Sequence, residues 1–149
     1  MTVFKNQGFG KFKKVVVSEI RMKTKPERHE KGWGYEEWIV NNKLYCGKIL
    51  HFWKGKKFSL HYHNLKDETF YVISGKFSAI FYESLEDYAK KKSTFLELAK
   101  GDTIHIKPGV LHRLTALEEG EIIEFSTEHF EDDSYRVEPG DSQTANNKF

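Results

Sequence analysis

Short stretches of alternating apolar and polar residues follow one another along most of the chain. They are rich in β-branched and aromatic residues, which favour strands. Turn-forming pairs such as Asn41-Asn42 and Ser74-Gly75 separate them. The predicted strands are residues 14–20, 37–40, 44–53, 58–63, 68–74, 76–82, 94–98, 102–106, 111–117 and 121–126. Many short strands at near-regular spacing predict an all-β fold, either an antiparallel sandwich or a closed barrel.

Two segments depart from this strand pattern. Residues 84–92 (SLEDYAKKK) carry a possible helix cap at Ser84, with acidic residues early and lysines late. A helix dipole favours that charge order, so a short exposed helix or a long hairpin loop is predicted there. Residues 139–149 are polar and without periodicity, which predicts a flexible tail.

Length and charge narrow the functional classes. A chain of 149 residues suits one domain with a single core. The 24 basic and 22 acidic residues give a net charge of +2, and the basic residues are scattered. This pattern argues against a nucleic-acid partner or an anionic membrane partner. The single cysteine, Cys46, excludes an intramolecular disulfide, and no signal-peptide pattern or long apolar stretch occurs. We therefore expect a cytoplasmic protein.

A group of metal-ligand residues stands in the middle of the chain. His61 and His63 are two residues apart on a predicted strand, so their side chains share one face. A short loop then returns Glu68 beside them, and the turn at Pro108-Gly109 delivers His112. Three imidazoles and one carboxylate form a mixed nitrogen and oxygen set that suits zinc, iron, manganese, cobalt or nickel.

Each of these residues alone has an ordinary structural interpretation. A lone histidine on a half-buried strand is more often a packing residue than a ligand, and we prefer that interpretation for His29, His51, His105 and His129. The clustered set is different, because burying so many polar groups is costly unless a ligand satisfies them.

The spacing of this cluster resembles the two sequence motifs of the cupin superfamily. Gly55, the His61-x-His63 pair, Glu68 and Gly75 match the first motif at every marked position. In the second motif Gly101, Pro108, Gly109 and His112 match, whereas Lys107 replaces a usual proline and Ala116 a frequent asparagine.

This resemblance implies a fold and a ligand set. The fold would be a double-stranded β-helix, the cupin or jelly-roll barrel, over residues 31–138. An amino-terminal strand and arm would occupy residues 1–30, and the flexible tail residues 139–149. His61, His63, Glu68 and His112 would bind one divalent metal ion. An unpaired edge strand can aggregate with other chains, and pairing across a two-fold axis removes that edge. The strand near residues 14–20 therefore also predicts a homodimer.

A narrower likeness concerns the function. The stretches KGWGYEEW, FSLHYHNLKDETFYVISG and EIIEF followed by EDDSYRVE are similar to the cupin domain of type II phosphomannose isomerases and mannose-1-phosphate guanylyltransferases. That group often has glutamine at the position of His61. The likeness implies a metal-dependent isomerase or epimerase that acts on a sugar or sugar phosphate.

The sequence leaves the catalytic groups and the reaction class open. The candidates for the proton-transferring base lie in or beside strands: Glu37, Lys48, Lys57, His105 and Arg113. Lys57, Arg113 and Glu37 are the preferred catalytic residues. Lys57 or Arg113, nearest in sequence to the ligands, would bind an anionic substrate group. Among the aromatic residues, Trp33 is the preferred contact at the barrel rim. Two alternatives remain: a non-catalytic sugar-binding or regulatory cupin, and an Fe(II) dioxygenase.

Overall fold

Two antiparallel sheets pack face to face and form the barrel. The computed structural model describes residues 2–6, 12–16 and 23–144. The strands of the barrel are β3 (Glu27–Lys31), β4 (Gly34–Asn41), β5 (Cys46–Phe52), β6 (Leu60–Tyr62), β7 (Glu68–Ser74), β8 (Lys76–Tyr82), β9 (Thr94–Ala99), β10 (Thr103–Ile106), β11 (Leu111–Ala116), β12 (Gly120–Ser126) and β13 (Tyr135–Glu138). One sheet has the order β10-β7-β12-β5-β4-β3 and the other β13-β6-β11-β8-β9. This architecture is the all-β jelly-roll barrel that the sequence predicted.

The core lies between the two sheets and follows the alternation of the strands. Leu50 and Phe52 of β5 point inward, as do Phe77 and Ala79 of β8, and all four are buried. Leu114 of β11, the neighbour of β8 in the five-stranded sheet, joins them. Because residues i and i+2 share a face, these apolar positions fill the interior while their neighbours face outward.

The predicted strands within the described residues are all present. β7 and β8 have the predicted boundaries, and the connection between them is Gly75, with φ of +79°. The sequence pattern missed β3 and β13, which form the outer edges of the two sheets. Both carry mostly polar residues (ERHEK and YRVE), so neither has the apolar alternation of a core strand. Because β3 pairs with β4 along its whole length, the barrel begins at residue 27 rather than 31.

The predicted helix within residues 84–92 is confirmed as α1 (Leu85–Ala89). The side chain of Ser84 caps it by accepting a hydrogen bond from the Asp87 backbone N–H at 3.1 Å. This contact satisfies one of the free N–H groups at the start of a helix.

The prediction of a flexible tail is wrong for residues 139–144. They form α2 (Asp141–Thr144), and its first residue holds Lys57: the Lys57 N–H donates to Asp141 Oδ2 at 2.7 Å. Gly140 lies so close to β6 that a side-chain Cβ there would be 2.3 Å from the Ser59 backbone nitrogen. Polar composition suggested disorder here, whereas specific backbone contacts dock the segment on the barrel. Residues 145–149 lie outside the described residues.

The amino-terminal segment forms a separate hairpin of β1 (Thr2–Asn6) and β2 (Phe12–Val16). Part of the strand predicted at residues 14–20 therefore falls in β2, and residues 17–20 lie outside the described residues. In the parts of the chain that the structure describes, no helix has the length and apolar character to cross a membrane.

Candidate metal centre

Strand pairing brings the three predicted histidine ligands together between the sheets. His61 on β6 lies directly opposite His112 on β11. His63 follows at the end of β6, on the same side of the strand as His61. One ring nitrogen from each of the three lies within 4.8 Å of the others. Small side-chain movements would let all three reach one ion with metal–nitrogen bonds of about 2.1 Å.

Backbone carbonyls fix the orientation of each imidazole. The Nδ1 of His61 donates to the Ser59 carbonyl at 2.8 Å, and that of His112 donates to the Val110 carbonyl at 3.0 Å. His63 Nδ1 donates to the Asp133 carbonyl. A carbonyl can only accept, so Nδ1 carries the proton in all three rings and Nε2 is left with a free lone pair. Metal-binding histidines show this arrangement, in which the second nitrogen is held by an outer partner.

Glu68, the first residue of β7, lies beside two of the three histidines, although the cluster with ligand atoms within 4.8 Å of one another contains the histidines alone. Its Oε1 lies 2.8 Å from His112 Nε2 and 3.8 Å from His63 Nε2. Both Oε1 and His112 Nε2 are buried without a hydrogen-bond partner. Orphaned buried polar atoms are costly, so two of them side by side fit a shared ligand. The second oxygen, Oε2, pairs with Lys66 at 3.2 Å.

The electrostatics keep His61, His63 and Glu68 in the protonation states that bind metal. Burial, and after it the rings of His112 and His63, lowers the pKa of His61 well below 6.5. Burial also lowers the pKa of His63. For Glu68, burial works against the charged form, but the ammonium of Lys66 outweighs it and holds the pKa well below its ordinary value. Neutral imidazoles and an ionised carboxylate are the forms that coordinate a cation.

Asp133 holds the loop that joins the His61-x-His63 pair to Glu68. Its carboxylate accepts backbone hydrogen bonds from Asn64 at 2.8 Å and Lys66 at 3.0 Å, and also from Leu65. Its own carbonyl accepts from His63. Asp133 is only 4% exposed. One buried residue therefore positions both a candidate ligand and the chain that leads to the next one.

A cavity of about 160 Å³ opens beside His61, His63 and Glu68. At about 10 to 15 Å³ for each water centre, it holds on the order of ten water molecules or one small organic molecule. Its remaining charged lining consists of Lys31, Glu36, Lys48, Lys66, Glu124, Glu131 and Arg136, together with His129. The walls are therefore rich in ionisable groups, which is unusual for the interior of a small barrel.

Inner-face positions of the six-stranded sheet carry most of these charges. Lys48 on β5 lies opposite Glu124 on β12, and Glu36 on β4 lies opposite Leu50. Lys66, in the loop before β7, forms ion pairs with Glu68 and Glu124. Burial disfavours the charged ammonium of Lys66, but Glu124 and Glu68 outweigh it and raise its pKa.

The cavity wall does not include the three residues that the sequence favoured as catalytic. Glu37 follows Glu36 on β4, so the alternation of the strand turns it to the opposite face. Arg113 follows His112 on β11 in the same way, and it pairs with Glu138 at 2.9 Å. The backbone of Lys57, before β6, is tied to Asp141.

The sequence interpretation placed Lys48 among the candidate bases, but it did not single out the other charged residues beside the ligands on the cavity wall, such as Glu124. Lys48 is in phase with the buried positions Leu50 and Phe52, and Glu124 is in phase with Ile122. A charged residue in the apolar phase of a strand was the signal that could have identified both. His129, interpreted as an ordinary residue, also lines the cavity.

The remaining histidines and Trp33 have mostly structural contacts. His51 pairs with Glu119 at 3.1 Å, and His105 pairs with Asp67 at 2.7 Å. His29 packs on the Trp38 ring, with centroids 4.4 Å apart. Trp33 is buried and stacks on Phe52, and it also borders the cavity. Trp33 is therefore a buried packing residue that also contacts the cavity.

Comparison with solved structures identifies the architecture. The capsular polysaccharide assembling protein CapF from Staphylococcus aureus superposes with a TM-score of 0.67 at 19% identity, over 78% of this chain and 33% of that one. Oxalate decarboxylase from Bacillus subtilis superposes with a TM-score of 0.68 at 18% identity, over 82% of this chain and 33% of that one. An RmlC-like cupin from Shewanella frigidimarina superposes with a TM-score of 0.59 at 20% identity, over 72% of this chain and 87% of that one. The chain has the cupin fold.

These similarities concern the fold. The chain spans about a third of the length of CapF and of oxalate decarboxylase. No protein-family model and no curated protein matches the sequence. The cupin fold and the cluster of three histidines agree with the superfamily motifs in the sequence, and the cluster is a possible metal site within that fold.

Proposed function

We propose that this protein is a metal-dependent cupin that isomerises or epimerises a sugar or sugar phosphate. The observation that carries the metal assignment is the shared orientation of three imidazoles. Each Nδ1 is held by a carbonyl, and the freed nitrogens of His112 and His63 lie 2.8 Å and 3.8 Å from the unpaired Oε1 of Glu68. His61, His63, His112 and Glu68 would hold the ion, and zinc, iron, manganese, cobalt and nickel all suit this donor set.

The cavity supports a small polyhydroxyl substrate. Its size fits a single monosaccharide unit, and polar side chains line the space beside the ligand set. Bound there, the metal would supply Lewis-acid polarisation of a carbonyl and a neighbouring hydroxyl oxygen. The four ligands leave coordination positions open in an octahedral ion, which such a substrate could fill.

Isomerisation also needs a group that moves a proton between neighbouring carbon atoms. Among the described residues, four carboxylates line the cavity wall, and one of them, Glu68, is the candidate ligand. Besides Glu68 and Glu131, these are Glu36 and Glu124. Glu124 also accepts a hydrogen bond from Ser126 Oγ at 3.0 Å and pairs with Lys66, so its position is fixed. We assign proton transfer to Glu124, with Lys66 as the cation that holds it.

The test is a conversion assay on protein loaded separately with each of the five metals. Nuclear magnetic resonance would follow aldose–ketose interconversion and epimerisation for a panel of hexoses, pentoses and hexose 6-phosphates. Conversion that disappears after chelation, and in Glu124→Gln, is the expected result. The control variant Glu97→Gln, on β9 and exposed, should keep full activity.

Two results would overturn this function. Sugar binding without conversion under every metal would identify a non-catalytic binding protein. Substrate-dependent oxygen consumption with Fe(II) would identify a dioxygenase, and an oxygen electrode measures it directly.

A further inference from the structure

Lys48 is buried in the cavity wall with most of its hydrogen-bonding capacity unused. Its side chain is 2% exposed, and its nearest carboxylate oxygen, Glu36 Oε2, is 3.5 Å from Nζ. The ammonium also lies over the Trp38 ring, 4.2 Å from the centroid. An ammonium has three N–H donors, so one long ion pair and one aromatic face leave it able to donate to a ligand.

Glu36 has two other partners besides Lys48. Its Oε2 already accepts a hydrogen bond from Trp38 Nε1 at 2.7 Å, and its Oε1 lies 3.8 Å from Lys31. Burial alone would raise the pKa of Glu36, but Lys48 and then Lys31 lower it below its ordinary value. An incoming anion could therefore bind Lys48 while Glu36 keeps its other contacts.

Lys66 is in a different situation. Its ammonium is shared between Glu68 and Glu124, so two carboxylates already occupy it. Of the two fully enclosed lysines on the cavity wall, only Lys48 can turn to a ligand without giving up a close ion pair.

The charge balance of the cavity also favours an anion. Three carboxylates, those of Glu36, Glu68 and Glu124, face the two ammonium groups of Lys48 and Lys66. This inner part carries one net negative charge, and a divalent cation on the histidines would make it one positive charge. At the mouth, Lys31 and Arg136 outnumber Glu131. Uncompensated charge in an enclosed site is costly, so the metal-loaded cavity suits a ligand that brings negative charge.

We propose that Lys48 binds the anionic group, a phosphate or a carboxylate, of a ligand whose other end reaches the metal site. This inference rests on the proposed function and specifies its substrate class. The anionic end would thus be held by a residue of the six-stranded sheet, and the reacting end would lie beside His61 and His112 of the other sheet. Lys48 is then a specificity-determining residue, which the sequence interpretation had left among several possible bases.

The test measures ligand binding by titration calorimetry on the zinc-loaded protein. The probes are inorganic phosphate, a hexose 6-phosphate, a hexuronate and the neutral hexose. We expect the anionic probes to bind more tightly than the neutral hexose. Lys48→Met should weaken the anionic probes at least about tenfold and leave the neutral hexose within about twofold, because a hydrogen bond to a charged group is lost. The tighter of the phosphorylated and uronate probes identifies the anionic group.

Two further variants separate binding from structure. Glu36→Gln removes a competing carboxylate and keeps an acceptor for Trp38, so it should bind anions as tightly as wild type or more tightly. The double variant Glu36→Gln/Lys48→Met removes both charges of this buried pair, and it should lose anion binding even where Lys48→Met alone folds poorly. Lys48→Arg should retain anion binding within a few-fold. Lys54→Met, at an exposed position, is the matched control.

Unchanged anion affinity in the double variant would overturn the proposal, as would equal affinity of wild type for anionic and neutral probes. Zinc content, measured in the same samples, keeps this result apart from the proposed function. Failure of the wild-type protein to bind zinc would contradict the metal centre. Zinc-loaded protein whose anion affinity does not depend on Lys48 would contradict only the role of Lys48.

Discussion

His112 Nε2 lies 2.8 Å from Glu68 Oε1, yet the two atoms form no hydrogen bond and neither has another hydrogen-bond partner. A proton on His112 Nδ1 explains this, because the Val110 carbonyl holds it there and leaves Nε2 without one. Two lone-pair donors that face each other in a buried site would repel. A cation between or beside them removes that repulsion, and so this pair is the most direct sign of a metal centre in the fold.

Replacing Glu68 by alanine, or His63 by alanine, is expected to lower metal occupancy sharply while the barrel stays folded. The core residues Phe52, Phe77 and Leu114 pack independently of the ligand set. Elemental analysis after dialysis measures the bound metal, and circular dichroism checks the fold. His51→Ala is the control, because His51 pairs with Glu119 and Glu121 instead. Metal content at the wild-type level in both ligand variants would refute the ligand assignment.

Asp133→Ala is expected to weaken metal binding by about tenfold or more, although Asp133 offers no ligand atom to the cluster. Loss of its carboxylate leaves three backbone N–H groups of residues 64–66 without their acceptor. Outer partners of metal sites commonly contribute 10- to 100-fold in affinity. The free energy of unfolding should also fall by about 2 kcal/mol, since unsatisfied buried donors are costly.

Zinc titration and urea denaturation measure these two effects of Asp133→Ala. Asp132→Ala changes the neighbouring exposed carboxylate and should alter neither quantity. Asp133→Asn keeps one acceptor oxygen and should recover part of the metal affinity. A variant that is destabilised but binds zinc as tightly as wild type would show that Asp133 supports the loop without positioning the ligands.

The sequence predicted the parts of this site that depend on local geometry. Spacing along one strand placed His61 and His63 on a common face, and the short loop after them returned Glu68. Periodicity does not predict which strand pairs with β6. The prediction that His112 joins the ligand set therefore depended on the motif resemblance as well as on the turn at Pro108-Gly109. The core strands β7 and β8 were predicted in full because their apolar alternation is strong.

The rest of the site depends on tertiary packing that leaves little trace in the sequence. Asp133 is one of several acids in a polar stretch, and only the folded chain brings it to the loop 70 residues earlier. Docking of the tail also depends on close backbone approaches at Gly140 and Gly32 and on the hydrogen bond from Lys57 to Asp141. Lys48 was different: its position in the apolar phase of β5 was visible and it stood among the candidate bases, but it was not preferred because a lysine on a strand is usually solvated.

Lowering the pH is expected to destabilise the metal-free protein, and His129 should be one cause. Burial, followed by the charges of Lys48 and Lys66, lowers the pKa of His129 from 6.5 to about 3. Between these values the unfolded chain binds a proton that the folded chain does not, so stability falls as the pH drops from about 6.5 towards 3. The lowered pKa values of His61 and His63 act in the same direction.

Urea denaturation of the metal-free protein from pH 7.5 to pH 5 measures this dependence. His129→Gln should make the loss of stability with falling pH less steep, because one imidazole no longer binds a proton on unfolding. Measurements stop at pH 5 because Glu68, whose pKa is lowered from 4.5, contributes its own loss of stability in stronger acid. An identical slope in wild type and His129→Gln would contradict the assignment.

A homodimer remains our prediction, and the structure suggests a face that could form it. On the outer side of the six-stranded sheet, Tyr71 lies beside Ile123, which lies beside Ile49, and Phe125 follows on the same face of β12. Phe125 is 56% exposed and Tyr71 38%. A contiguous apolar row of this kind on a monomer commonly marks a protein contact, and a two-fold axis would bury it against its own copy.

Light scattering coupled to size-exclusion chromatography tests the dimer at micromolar concentration. Phe125→Glu should shift the protein to a monomer, because a charge would be buried at the centre of the apolar row. Phe95→Glu is the matched control, since Phe95 is 65% exposed but belongs to β9 in the other sheet. A monomeric wild type would contradict the dimer itself. A dimer that survives Phe125→Glu but is lost when residues 1–22 are removed would place the contact at the β1–β2 hairpin, as the sequence pattern first indicated.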